Sequence, residues 1–132
     1  QRQMCIRDSN MRDQERLRQA KEIVSIHQIS NPDLLNKLAF IFQHGNSVDD
    51  YKKALELSTK AVELGFPPDK SIVPQATDRL TIKEQMDQGV PISKITQKFG
   101  TQELFDKDKQ TFFSPPTDGS ITEDKFREFG LL

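Results

Sequence analysis

The sequence predicts a mainly α-helical fold: a compact bundle of antiparallel helix hairpins, followed by a short C-terminal β-hairpin and a short terminal helix. Three observations predict it. Between Met11 and Gly89, apolar residues recur at three- and four-residue steps in four separate stretches, the spacing that gathers them on one face of a helix. Residues that start or stop helices bound these stretches, among them Asn31-Pro32, Gly45, Ser47, Gly65 and Pro67-Pro68. After Gly89 that period is lost, and two short extended runs flank a charged turn. The chain has 132 residues, enough for one core of ordinary size and too few for two. Leu, Ile, Val and Phe supply 35 of the 132, above the roughly 20% beneath which disorder is expected.

The first helix is expected over Met11–His27, with Leu17, Ala20, Ile23, Val24 and His27 inward and Asp13, Glu15, Arg16, Arg18 and Lys21 solvated. Asn31-Pro32-Asp33 then starts a second helix: Asn31 can cap it, Pro32 suits the first helical position, and Asp33 faces the positive end of the dipole. Leu34, Leu35, Leu38, Ala39, Ile41 and Phe42 form a broad stripe, with Phe40 outside it. That helix is therefore expected to be buried on more than one face, and to end at Gly45. Ser47-Val48-Asp49-Asp50 has the form of a capping box with Asp in place of Glu. Tyr51, Ala54, Leu55, Ser58, Ala61 and Val62 follow at helical spacing up to Gly65, where Phe66-Pro67-Pro68 cannot continue the helix.

A fourth helix is expected over Lys70–Gln88, carrying Ile72, Val73, Ala76, Leu80, Ile82 and Met86, with Pro74 in or just before its first turn. Gly100–Phe105 and Gln110–Phe113 read as strands around Asp106-Lys107-Asp108-Lys109, and Ser114–Gly119 as a loop. Ser120-Ile121-Thr122-Glu123 reads as the cap of a last helix through Glu128, with Phe126 and Phe129 packing inward and Gly130 closing it.

Nineteen basic against twenty acidic side chains leave a net charge of -1, so no global field recruits nucleic acid or an anionic membrane. The Lys52-Lys53 and Lys107–Lys109 clusters are short and balanced by acids. No apolar run approaches the roughly 18 residues needed to span a bilayer, and a soluble, cytoplasmic protein is expected. Residues 1–9, QRQMCIRDS, resemble a translated sequencing-adaptor tail of the kind found in gene predictions from environmental DNA; a genuine disordered arm is the alternative. On either reading residues 10–132 form a single helical domain. Cys5, the one cysteine, lies in that tail, so the domain offers no disulfide, thiolate metal site or cysteine nucleophile.

The stretch Tyr51–Gly65, with small residues at Ala54, Ser58 and Ala61, resembles the second helix of a tetratricopeptide repeat. Any αα-hairpin selects small residues at its seam, and an array needs about three stacked repeats to bury its faces. An ordinary helical hairpin in a compact bundle and a peptide-binding solenoid both fit this one unit. Four further phrases stand out: Gln43-His44-Gly45, Asp78-Arg79, Phe99-Gly100-Thr101-Gln102 and the terminal Arg127–Leu131. In this order, and together with the Asp50–Gly65 helix, they resemble an uncharacterised family of bacterial proteins, a domain of unknown function whose members carry QHG, Asp-Arg and YGTQ or FGTQ phrases. The resemblance implies no activity. The sequence departs from the family pattern at Leu80, where a bulky aromatic is usual, and in the longer approach Gly89–Gln97.

These phrases supply the candidate site residues. At 100° per residue Arg79 falls in the apolar sector of its helix and Asp78 near the opposite side. A guanidinium turned toward a core needs acceptors for its five donors, and Gly100, Thr101 and Gln102 can bring them close. Arg79 is thus either a clamp on that loop or an anion-binding group in a pocket, with Gln43, Thr101 and Gln102 as further ligand-binding candidates. His44, near the negative end of its helix, is either favoured there by the dipole or acts as a general base oriented by Asp78. Those two residues are the catalytic candidates, and no nucleophile is singled out. His27 and His44 form no metal-ligand pair, and the isolated glycines make no phosphate loop; no metal and no cofactor are expected. Two functions stay open at this level: a helical scaffold or protein-interaction module, and a small-ligand binder or hydrolytic enzyme built on a His/Asp/Arg/Gln cluster.

Overall fold

A computed structural model describes the backbone of residues 2–132 and the side chains of residues 11–132. The reading of residues 1–9 as a tail falls on residues whose side chains lie outside that range. The elements in chain order are α1 (Arg2–Ile26), α2 (Pro32–Gln43), α3 (Val48–Glu63), α4 (Val73–Asp87), β1 (Leu104–Asp106), β2 (Thr111–Phe113) and α5 (Glu123–Glu128). The fold is mainly helical, with one antiparallel two-stranded hairpin and a C-terminal helix, as the sequence pattern predicts.

Local chemistry sets the helix starts. Asn31 Oδ1 accepts the Leu34 N–H at 3.0 Å, and Ser47 Oγ accepts the Asp50 N–H at 3.1 Å, so each cap satisfies one amide that the helix leaves orphaned. Asp50 does not complete a reciprocal capping box among the described residues; it is buried, and its Oδ1 meets Lys21 Nζ of α1 at 3.3 Å. Helix α4 begins at Val73, later than expected. A 3₁₀ turn at Pro68–Lys70 precedes it, and Ser71, in extended backbone, separates the two while its Oγ donates to Pro68 O at 2.8 Å. The cap of α5 is Thr122, whose Oγ1 accepts the Lys125 N–H at 3.3 Å. Ser120 is held instead by Asp118, its hydroxyl donating to Oδ1 at 2.6 Å.

Helix α3 packs against both α2 and α4, and α1 covers part of α2. The main core joins Ala20 of α1, Leu35, Leu38, Ala39 and Phe42 of α2, Ala54, Leu57 and Ala61 of α3, and Ala76 of α4. Ala39, Ala54, Ser58, Ala61 and Ala76 are completely buried, so small side chains let the helices approach closely. Two expectations of burial fail. Phe40 is 50% exposed: it stays outside the core, near Asp13 and Arg16 of α1 and edge-on to His44. Ile23 on α1 and His27 just past its end lie exposed, while Leu17, Ala20 and Val24 make the contact.

After Gly89 the chain doubles back over α4. Ile95, Gln97 and Phe99 alternate inward along an extended segment and are all buried. The stretch expected as a plain loop pairs with this segment through a parallel bridge between Gln97 and Thr117. Phe99 takes the rings of Phe126 and Phe129 edge-on, at 5.8 and 5.6 Å between centroids, and so anchors α5. Gly130, at φ 73°, closes α5 as the Leu131 N–H returns to Phe126 O at 2.8 Å.

Candidate functional site

Asp78 is the most fully engaged side chain of the chain segment around α4. Helical spacing alone places it away from the apolar face, yet it is 0% exposed, because the segment 95–101 covers that side. Its Oδ1 accepts the backbone N–H groups of Lys98 and Phe99, each at 2.8 Å. Its Oδ2 accepts the Thr101 N–H at 2.9 Å and the Thr101 hydroxyl at 2.6 Å. A carboxylate offers about four acceptor positions, and all are used. Gly100 makes this possible: its φ of +84° turns the chain so that the amides on either side converge on one carboxylate.

Arg79, half-buried, faces the other way. Nη1 donates to the Gln43 carbonyl at 2.6 Å and Nε to Gln102 Oε1 at 3.2 Å, tying the end of α2, the middle of α4 and the Gly-Thr-Gln segment together. Thr101 Oγ1 also accepts from Gln102 Nε2 at 3.2 Å. Residues from the Gln-His-Gly, Asp-Arg and Gly-Thr-Gln phrases are therefore joined in one network. Gln43 contributes its backbone, while its buried side-chain Oε1 has no partner among the described residues.

Gln97, which sequence reasoning missed, organises the neighbouring loops. It is completely buried; Nε2 donates to Gln102 O and Pro115 O, and Oε1 accepts the Gln102 N–H at 3.0 Å. The available signal was the alternation Ile95, Gln97, Phe99, which puts the glutamine on the inward face of an extended run. Gln85 plays a similar part, bonding both N–H and O of Thr96. At the surface, Lys98 Nζ meets Asp118 Oδ2 at 2.5 Å. The lysine, together with the Ser120 hydroxyl and amide, holds the Asp118 carboxyl at about 2, below its ordinary 3.8.

Among the described residues, neither catalytic candidate lines the groove that holds Arg79. Arg79 and Gln102 line a groove of about 290 Å³ with Tyr51 of α3 and Leu104 of β1. His44 instead lines a cavity of about 60 Å³ with Asp13, Arg16 and Ile41, its ring set edge-on to Phe40 at 4.7 Å. The orientation of His44 by Asp78 is corrected by the same geometry, since every acceptor position of Asp78 is taken by the 98–101 segment. Among the described residues, no three His, Cys, Asp or Glu side chains gather as a metal site, and no helix is long and apolar enough to cross a membrane.

No family model, curated protein or solved structure matches this chain.

Proposed function

We propose that the chain is a helical protein-interaction module that engages its partner through the outer face of the β-hairpin. The observation that carries this reading is the pair Phe105 and Phe112, directly opposite each other in the hairpin with centroids 5.0 Å apart and 39% and 70% exposed. Leu104 and Phe113, also paired, are half-buried on the inner face. The outer rings thus add apolar surface that the fold does not use, and aromatic residues of this kind dominate the binding energy of protein interfaces. The turn Lys107-Asp108-Lys109 supplies a polar rim.

The engagement of Asp78 in structure and the separation of His44 from it support a binding role over a catalytic one. Membership of the bacterial family with QHG, Asp-Arg and GTQ phrases belongs to this proposal, with the phrases read as the residues that hold the hairpin's base to the helices. The test is selection of peptides from a random library displayed on phage. Selected peptides are expected to shift the backbone amide signals of residues 104–113, and the variant Phe105→Ser/Phe112→Ser is expected to lose them with an unchanged circular dichroism spectrum. Peptides that bind the variant as well as the parent would overturn the reading, as would a failure to enrich any.

A further inference from the structure

The groove beside Arg79 has a chemistry of its own, separate from the outer face of the hairpin. Arg79 meets two neutral oxygens, Gln102 Oε1 and Gln43 O, and no carboxylate among the described residues. Its Nη2 has no partner there, so the half-buried guanidinium keeps free donors on one edge. Lys83, one turn further along α4, is matched by Asp87 at 3.3 Å. The charged side chains that line the groove are Arg79 and Lys83, and with Lys83 matched by Asp87 and the Asp78 carboxylate enclosed by the 98–101 segment outside the groove, one guanidinium faces it, which suits a monoanion better than a phosphate dianion. Ile82, Met86 and Leu104 form the apolar wall, with Met86 41% exposed on it. A volume of about 290 Å³ sits at the small end of ligand pockets and matches a short chain better than a nucleotide.

We propose that this groove binds a monocarboxylate carrying a short apolar chain, with the carboxylate on the free edge of Arg79 and the chain along Ile82, Met86 and Leu104. A planar guanidinium edge matches a carboxylate with two parallel N–H donors, and Tyr51 brings a phenol to the same groove. The acid can be free, or it can be the terminal carboxylate of a peptide ending in an apolar residue.

Sodium hexanoate titrated into the full chain, followed by nuclear magnetic resonance, tests this. Saturable shifts are expected at the Arg79 Nε–H, the Gln102 side-chain amide and the Met86 methyl group. Hexanamide, which keeps the chain without the charge, and acetate, which keeps the charge without the chain, are each expected to bind about tenfold more weakly. Because Arg79 also holds the fold, the second variant is Met86→Gln, which leaves the clamp intact; it is expected to weaken hexanoate while leaving acetate unchanged. A short peptide with a free C-terminal leucine, compared with its amide, identifies the source: the peptide acid outbinds hexanoate if a chain terminus is the natural ligand, and hexanoate outbinds it if a free acid is. Equal binding of hexanoate and hexanamide would overturn the proposal. So would shifts spread over the surface lysines, or no saturable shift at any concentration at which the protein stays folded.

Discussion

Adjacent residues on one helix, Asp78 and Arg79, do different work because one is covered by backbone donors and the other by carbonyl oxygens. Hydrogen bonds to a charged group contribute roughly 1.5–3 kcal/mol each, so the four that reach Asp78 can offset the cost of placing a carboxylate at 0% exposure. Arg79 meets only two oxygens, both neutral, which is why the free donors belong to it and not to its neighbour. A third charged side chain, Asp118, gives the clearest dependence on pH. Its carboxyl is held at about 2, against an ordinary 3.8, first by the Lys98 hydrogen bond and then by Ser120. A lowered folded-state value means that its contribution is present above the ordinary value and is lost as pH falls through about 2. Lys98→Met is expected to return the carboxyl toward 3.8 and to move the onset of that loss to higher pH, as followed by carboxyl carbon chemical shifts. A wild-type Asp118 that titrates near 3.8 would remove the ion pair from the account.

Among the elements, the α2–α3 turn shows how one glycine serves packing. Gly45 was expected to stop α2 through its conformational freedom, yet its φ is not positive, and the cap position is His44. What glycine supplies is room: a Cβ there would lie 2.6 Å from the Cβ of Asp50, the buried acid that meets Lys21 of α1. Gly45→Ala is therefore expected to destabilise the protein by roughly 1–3 kcal/mol in urea unfolding, the range of an overpacked site. Asp50→Gly in the same chain should reduce that penalty, because it removes the Cβ as well as the carboxylate from the space the new methyl group would occupy. A loss unchanged by Asp50→Gly would count against the steric cause. Caps and turns of this local kind were legible in the sequence: Asn31, Ser47 and the Asp106–Lys109 turn depend on neighbours only a few residues away. Phe40 and Asp78 were not, because their exposure is decided by which distant segment covers a helix face. A helical wheel has no term for residues 95–101 returning across α4.

At the level of the whole chain, two apolar groups meet across α4: the core of α1 to α4, and the smaller cluster in which Phe99 holds Phe126 and Phe129. The second is small and contains much polar backbone, so its attachment depends on polar groups that present the right atoms. Asp78 supplies acceptors, Gln97 supplies both donors and an acceptor, and Arg79 supplies donors. Asp78→Asn tests this division of labour. The amide keeps one acceptor oxygen but directs an NH₂ group toward N–H donors, so at least one buried amide loses its partner and another is faced by a like group. A cost of roughly 2–5 kcal/mol is expected, the range for breaking buried charged hydrogen bonds. Its distribution matters more than its size. Hydrogen exchange should accelerate at Lys98, Phe99 and Thr101 and through both strands, while the amides of α2 and α3 retain most of their protection, because their packing does not involve Asp78. A uniform loss of protection would mean that the chain opens as one cooperative unit. Selective loss would show that the Asp78 carboxylate pins a separable C-terminal layer, carrying both the hairpin's aromatic face and one wall of the Arg79 groove, onto the helices.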